Sequence, residues 1–294
     1  MGMIYSIEND FLRVKISDVG AEIVSAVSKK DGCEFIWYGD EKYWTGHSPV
    51  MFPICGRLCE GKYTYAKKTY SLGGHGFART SVFELQSASS SEVSLVLKSN
   101  NETKENYPFD FEFKMTYKLD KNAILMTFGV KNTDEKELIF AVGAHPAFNV
   151  PLSNGEKFED YYVQFDTPSE AFQVDFSERC LCTEKDKLYG GQKTQTIDLK
   201  HDLFDNDAIF LYNIAKRVSL KSRKSDKSVV MTYPNMKYLG LWHKPKSDAP
   251  YVCIEPWMSV PSKDGEIDAL ETKKEMMHLP AGYSYSNTIK VELI

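Results

Sequence analysis

Phe111-Glu-Phe-Lys-Met-Thr-Tyr-Lys-Leu119 alternates without a break, placing Phe111, Phe113, Met115, Tyr117 and Leu119 on one side and charged or polar residues on the other. A period of two over nine residues is the pattern of a half-buried β-strand. The turn residues Asp120-Lys-Asn follow, and then Ile124 to Val130 reads as another strand. Similar stretches run from Phe11 to Ile16, Val93 to Leu97, Tyr161 to Phe165, Val218 to Lys221, Val229 to Tyr233, Tyr238 to Trp242, Tyr251 to Ile254 and Ser286 to Leu293. Asp31-Gly, Gly73-Gly, Asn154-Gly and Gly190-Gly punctuate them, and Ser87 to Glu92 reads as a surface turn. Many short strands with frequent turns predict an all-β fold, a large antiparallel sandwich or barrel. One segment has helical spacing, Asp264 to Met277, with Ile267, Leu270 and Lys274 a turn apart. No internal repeat, linker or composition break interrupts the chain, so a single domain over residues 1–294 is expected.

The bulk properties narrow the function. The 294 residues are enough for a full core, and the balance of 42% hydrophobic and 26% charged residues is that of a globular protein. The formal net charge of -5 argues against nucleic acid and anionic lipid, both of which reward positive patches. The N-terminus has neither a basic n-region nor an apolar h-region, and no stretch has the 18 or so apolar residues that span a bilayer. A cytoplasmic location is therefore expected. There the cysteines (Cys33, Cys55, Cys59, Cys180, Cys182 and Cys253) should be reduced thiols, and the Asn101-Glu-Thr sequon should stay unmodified. The cysteine spacings are not those of a zinc ribbon.

Four segments set polar residues inside apolar or Gly/Pro-rich frames: Phe52-Pro-Ile-Cys-Gly-Arg57, Gly74-His-Gly-Phe-Ala-Arg79, Gly143-Ala-His-Pro-Ala-Phe-Asn149 and Cys253-Ile-Glu-Pro-Trp257. Glycines on both sides of His75 allow unusual backbone angles and close approach to a ligand. His145 and Glu255 each precede a proline, which pushes them into extended backbone and fixes their direction. A charge at Glu255, among Val252, Ile254 and Trp257, is costly unless it has a partner or a task. Arg57 follows an apolar run and offers a fork for a carboxylate or sugar hydroxyls; a structural role is equally open to it. Trp242 could stack on a sugar's C–H face, although it and Trp257 also fit a core. His47, His201, His243 and His278 carry less signal. The chain lacks a phosphate loop, a nucleophile elbow, a zincin motif and a dinucleotide fingerprint.

At these four segments the chain resembles the aldose 1-epimerase (galactose mutarotase-like) family. It is most similar to the bacterial aldose-epimerase-like branch, which carries His-Gly-Phe-Ala-Arg and His-Pro-Ala-Phe-Asn. The resemblance runs in the same order over almost the whole chain. It implies a large antiparallel β-sandwich of the mutarotase supersandwich type with a few short helices, no cofactor and no obligatory metal. It implies His145 as general acid, Glu255 as general base, and His75 and Arg57 as substrate-positioning residues. Asp207 resembles the family's substrate-binding aspartate, with Asp202 and Asp205 close by. The expected partner is a small-molecule sugar, an aldohexose with or without a phosphate, and the protein is expected to be a monomer or homodimer.

Departures bear on the substrate. Galactose mutarotases typically have Asn before the acid histidine, where Ala144 stands, and Gln two residues after the base, where Trp257 stands. The resemblance to hexose-6-phosphate epimerases adds Arg79, Lys62, Lys67 and Lys68 as candidate phosphate contacts. The chemistry suits the residues. Ring opening needs a base at the C1 hydroxyl and an acid at the ring oxygen, and closure from the other face reverses the roles. A carboxylate and an imidazole can exchange those protons near neutral pH. The competing expectations are a His75–His145–Glu255 metal site and a carbohydrate-binding protein without catalysis.

Overall fold

The computed structural model describes residues 2–294. Every strand pair is antiparallel, and two large sheets form a β-sandwich. The nine-stranded sheet runs in the order Thr194–Asp198, Tyr161–Ser169, Arg217–Ser222, Ser228–Thr232, Ser284–Leu293, Ala123–Asn132, Phe111–Asp120, Glu92–Lys98 and Glu84–Ala88. The eight-stranded sheet centres on Ile209–Tyr212, Tyr238–Trp242 and Tyr251–Trp257. A three-stranded sheet of Ile4–Glu8, Leu12–Ser17 and Ile23–Ser28 lies N-terminal to both.

The alternating segment behaves as its period demands. Phe111, Phe113, Met115, Tyr117 and Leu119 are buried, and the residues between them reach the surface. Asp120 pairs with Ala123, so Lys121-Asn122 is the hairpin turn, and Lys121 takes φ 54. On the wet face Thr127 pairs with both Thr116 and Thr288, and its hydroxyl bonds that of Thr288 at 2.9 Å. On the dry face Phe113 stacks on Phe52 at 4.5 Å and 12°. This contact ties the hairpin to the Phe52–Arg57 segment. All the strands expected from the sequence are present, with ends shifted by a few residues.

The helix expected over Asp264 to Met277 does not form. The chain there is extended or turning, with a 3-10 turn at Leu270–Thr272. Leu270 is buried, whereas Ile267 is 42% exposed. The backbone is drawn instead onto the Lys62–Tyr65 strand. Thr64 N–H donates to the Asp268 carbonyl at 2.8 Å, and the Asp268 carboxylate pairs with Lys273 at 2.8 Å. Sheet-edge pairing outweighs the weak helical preference of the segment.

A helix appears instead at Asn101–Asn106. Asn100 accepts from Thr103 N–H at 2.8 Å, and Thr103 Oγ1 accepts from Asn100 N–H at 2.9 Å. The reciprocal cap occupies the hydroxyl of the Asn101-Glu-Thr sequon. All six cysteines are free thiols. No helix among the described residues is long and apolar enough to cross a membrane.

Candidate active site

Tyr251–Trp257 is buried along its whole length. Its pairing with Tyr238–Trp242 sets Gly240 opposite Glu255. A side chain at Gly240 would meet Glu255 Cβ and Phe210, each at 3.3 Å. The bare glycine leaves room for the carboxyl. Along the other edge two short strands pair with the same strand, Gly143–Ala144 at Trp257 and Ala147–Asn149 at Tyr251 to Cys253. His145-Pro146 fills the break between them. The His145 amide donates to the Pro49 carbonyl at 3.0 Å, and the Pro146 carbonyl accepts from Ile254 N–H at 3.1 Å. Two pre-proline residues, distant in sequence, thus project side by side.

His145 Nε2 and Glu255 Oε2 lie 3.2 Å apart, with the side chains 12% and 3% exposed. Trp257 Nε1–H donates to the same Oε2 at 3.2 Å. Glu255 Oε1 and His145 Nδ1 have no partner within the protein among the described residues. Burial pushes the Glu255 carboxyl well above the carboxylate range, and the charge of Asp207 adds to this. Burial pulls the His145 imidazole down to about 3. Each group is driven toward its neutral form, so the pair shares one proton across the contact.

His75 meets His145 edge-on at 5.7 Å between ring centres. Its own backbone is left-handed, at φ 66. Its amide donates to the Gly56 carbonyl at 2.7 Å, and its Nδ1 accepts from Gly56 N–H at 3.2 Å. Of the two flanking glycines, Gly76 is the one the fold requires. At φ 73, a Cβ there would lie 2.2 Å from the Phe52 carbonyl oxygen. Burial holds the His75 imidazole well below its ordinary range, with the positive charges of Arg79 and Arg57 among the lesser causes.

A hollow of about 450 Å³ opens over these groups and is lined by Arg57, Arg79, Asp207 and Trp242 as well. That volume is within the usual range of small-ligand sites. All six residues expected at the site therefore border one cavity. Asp207 stands at its wall, whereas Asp202 is exposed and Asp205 accepts from the Lys246 amide at 3.2 Å. Arg57 and Arg79 are exposed at the rim. The remaining arginines pair with carboxylates: Arg13 with Glu8, Arg179 with Asp264, Arg217 with Asp166 and Arg223 with Asp198. Among the described residues Arg57 and Arg79 have no such partner. Lys62 pairs with Glu60 at 3.1 Å, and the Lys62–Lys68 hairpin does not border the cavity. A second, larger hollow of about 810 Å³, beside Gly73, Val82 and Asn106, contains no histidine and no buried carboxylate.

Several lining residues carried no sequence signal. Trp44 tilts over His145 at 5.0 Å and meets Trp242 edge-on at 5.5 Å. Phe176 and Cys180 form the opposing wall with Asp207. Each sits in a loop, where no period marks it. Trp257, weighed as core or platform, is 93% buried and holds Glu255 through its indole N–H. His243 is wholly buried against Phe204 and His201 and does not reach the cavity. One cluster has the donor types of a metal site: His145, Cys253 and Glu255, with ligand atoms within 4.8 Å of one another. It replaces the His75–His145–Glu255 set expected from composition, because His75 turns Nδ1 toward Gly56 and the Met51 sulfur. Burial pushes the Cys253 thiol well up, and the charge of Glu255 adds to this.

Known proteins share this architecture. A family model described as Aldose 1-epimerase matches residues 3–272. The chromosomal protein LacX of Lactococcus lactis subsp. lactis is 33% identical over 282 residues, covering 93% of this chain and 94% of LacX. A galactose mutarotase related enzyme from Lactobacillus acidophilus superposes with a TM-score of 0.94 at 36% identity, over 99% of this chain and 97% of that one. A galactose mutarotase-like protein from Lactobacillus casei gives 0.94 at 31% identity, over 99% and 100%.

Proposed function

This chain belongs to the aldose 1-epimerase family, and on that premise we propose that it interconverts the α and β anomers of an aldohexose by acid–base ring opening and reclosure. The observation that carries the reading is the buried His145–Glu255 pair at 3.2 Å, facing a sugar-sized hollow with one free atom on each partner. Glu255 takes the proton of the C1 hydroxyl as His145 gives one to the ring oxygen. The C1–O5 bond opens to an aldehyde, C1 rotates about the C1–C2 bond, and the reverse transfers close the ring on the other face. Both partners end the opening step neutral. Burial favours that outcome, because it makes Glu255 the stronger base and His145 the stronger acid. His75, Arg57, Asp207 and Trp242 hold the sugar's hydroxyls and its C–H face.

A second reading rests on the unpaired Arg57 and Arg79. Two guanidinium groups at one rim suit an anionic substituent, so a hexose 6-phosphate is the alternative substrate. A panel of free and phosphorylated aldoses, followed by NMR for faster equilibration of their anomers, tests both readings. Acceleration of at least one aldose is expected. Tight sugar binding without acceleration would replace the enzyme reading with that of a carbohydrate-binding protein.

A further inference from the structure

We propose that Cys180 is a positioning residue for Asp207, fixing that carboxylate toward the hollow and so setting the affinity for sugar rather than the rate of proton transfer. The inference rests on the sugar-binding reading above and names a residue that reading does not use. Cys180 Sγ–H donates to Asp207 Oδ2 at 2.9 Å, and the Ala208 amide donates to Oδ1 at 2.9 Å. A carboxylate offers about four acceptor positions. One on each oxygen is thus occupied, and one on each remains for sugar hydroxyls. With both oxygens held, the carboxylate plane does not need to be ordered when ligand arrives, and that ordering would otherwise weaken binding.

The two residues meet in unusual backbone. Cys180 takes φ 57 and Asp207 φ 75, conformations that are uncommon for residues with a side chain and that cluster at ligand sites. The loop that presents the thiol is anchored on both sides of it. The Cys180 amide donates to the Ser177 carbonyl at 2.9 Å, and the Cys182 amide to the Ser262 carbonyl at 2.9 Å. Phe176 and Cys182 also form a bridge across the loop base. The thiol therefore reaches Asp207 from a held position. Burial, and then the hydrogen bond to Asp207, push the thiol up to about 11, so it remains a donor throughout the neutral range.

The test is steady-state anomer exchange by NMR for the wild type, Cys180→Ala, Cys180→Ser, Asp207→Ala and the Cys180→Ala/Asp207→Ala double variant, each checked for a wild-type circular dichroism spectrum. Cys180→Ala should raise KM about five- to tenfold, the size of one ordinary lost hydrogen bond, as suits a weak thiol donor, with kcat within about twofold. Cys180→Ser, whose hydroxyl can still donate, should restore KM to within about twofold of wild type, and it decides the matter if the alanine variant does not fold. In the Asp207→Ala background the cysteine change should add nothing, because the thiol acts through that carboxylate. An unchanged KM in Cys180→Ala, a loss confined to kcat, or additive effects in the double variant would overturn this inference alone. A wild-type protein that accelerates no aldose would overturn the functional reading and this inference with it.

Discussion

The Phe111–Asp120 and Ala123–Asn132 hairpin and the Tyr251–Trp257 strand are both antiparallel β-structure, yet they solve opposite problems. In the hairpin every second residue is wet, and the polar side chains pair along the surface through Thr116, Thr127 and Thr288. In Tyr251–Trp257 all seven residues are buried, and one of them is a carboxylic acid. The hairpin obtains stability from its apolar face. The site strand gives some up, because Glu255 is desolvated and partnered only by His145 and the Trp257 indole. Replacing residues in the two strands should therefore separate stability from rate.

The largest effect is expected at the acid–base pair. Glu255→Gln or His145→Asn should lower kcat by roughly 10²–10⁴-fold with the thermal midpoint at or above that of wild type. Near wild-type anomer exchange in both variants would erase the distinction between the strands. The converse change is Phe113→Ala, which unstacks Phe52 and should cost about 3–5 kcal/mol of stability. Its kcat, measured well below its melting point, should stay within twofold. Denaturant unfolding beside a rate assay decides.

A pH series sharpens the same contrast. The folded state holds the Glu255 proton more tightly than the unfolded chain, whose carboxyl titrates near 4.5. Its contribution to stability is fully present below pH 4.5 and is lost as pH rises through the higher folded value. Glu255→Gln removes that loss, so its advantage in melting temperature over the wild type should grow with rising pH. The wild-type kcat/KM should also fall as pH rises through that folded value, since ring opening needs the one proton that the pair holds to be available on His145. A parallel pair of stability curves would contradict the buried, protonated carboxyl. The smallest effect is expected at the rim: Trp44→Ala should raise KM about three- to tenfold, with a lesser change in kcat. An unchanged KM would remove Trp44 from the sugar platform.

The difference between the strands also explains what could be read in advance. The hairpin declared itself because water on one face enforces a strict alternation. Tyr251–Trp257 showed only as an apolar run, and Glu255 stood out because a carboxyl in such a run is anomalous. Asp264 to Met277 misled because Ile267 and Leu270 have helical spacing but opposite environments: one exposed, one seated in the core by the pairing of Thr64 with Asp268. The Asn100–Thr103 cap has the pattern Asn-x-x-Thr, and the same threonine completes the overlapping Asn101-Glu-Thr sequon, so the local pattern fits both. His75, His145 and Glu255 were found because glycine and proline mark places where the backbone is constrained. Trp44, Phe176 and Cys180 were not, since a loop that contributes one side chain leaves no pattern.

By itself the sequence determined the all-β class, the wet and dry faces of the Phe111–Asp120 strand, and the identity of the unusual polar residues, because these follow from local period and composition. Only the tertiary structure decided that His145 and Glu255 touch, that Gly240 makes the space for their contact, and that the thiol of Cys180 meets the carboxylate of Asp207. Those facts depend on register between strands and loops remote in the chain. Register is set by the packing of whole sheets, which no short window of residues contains.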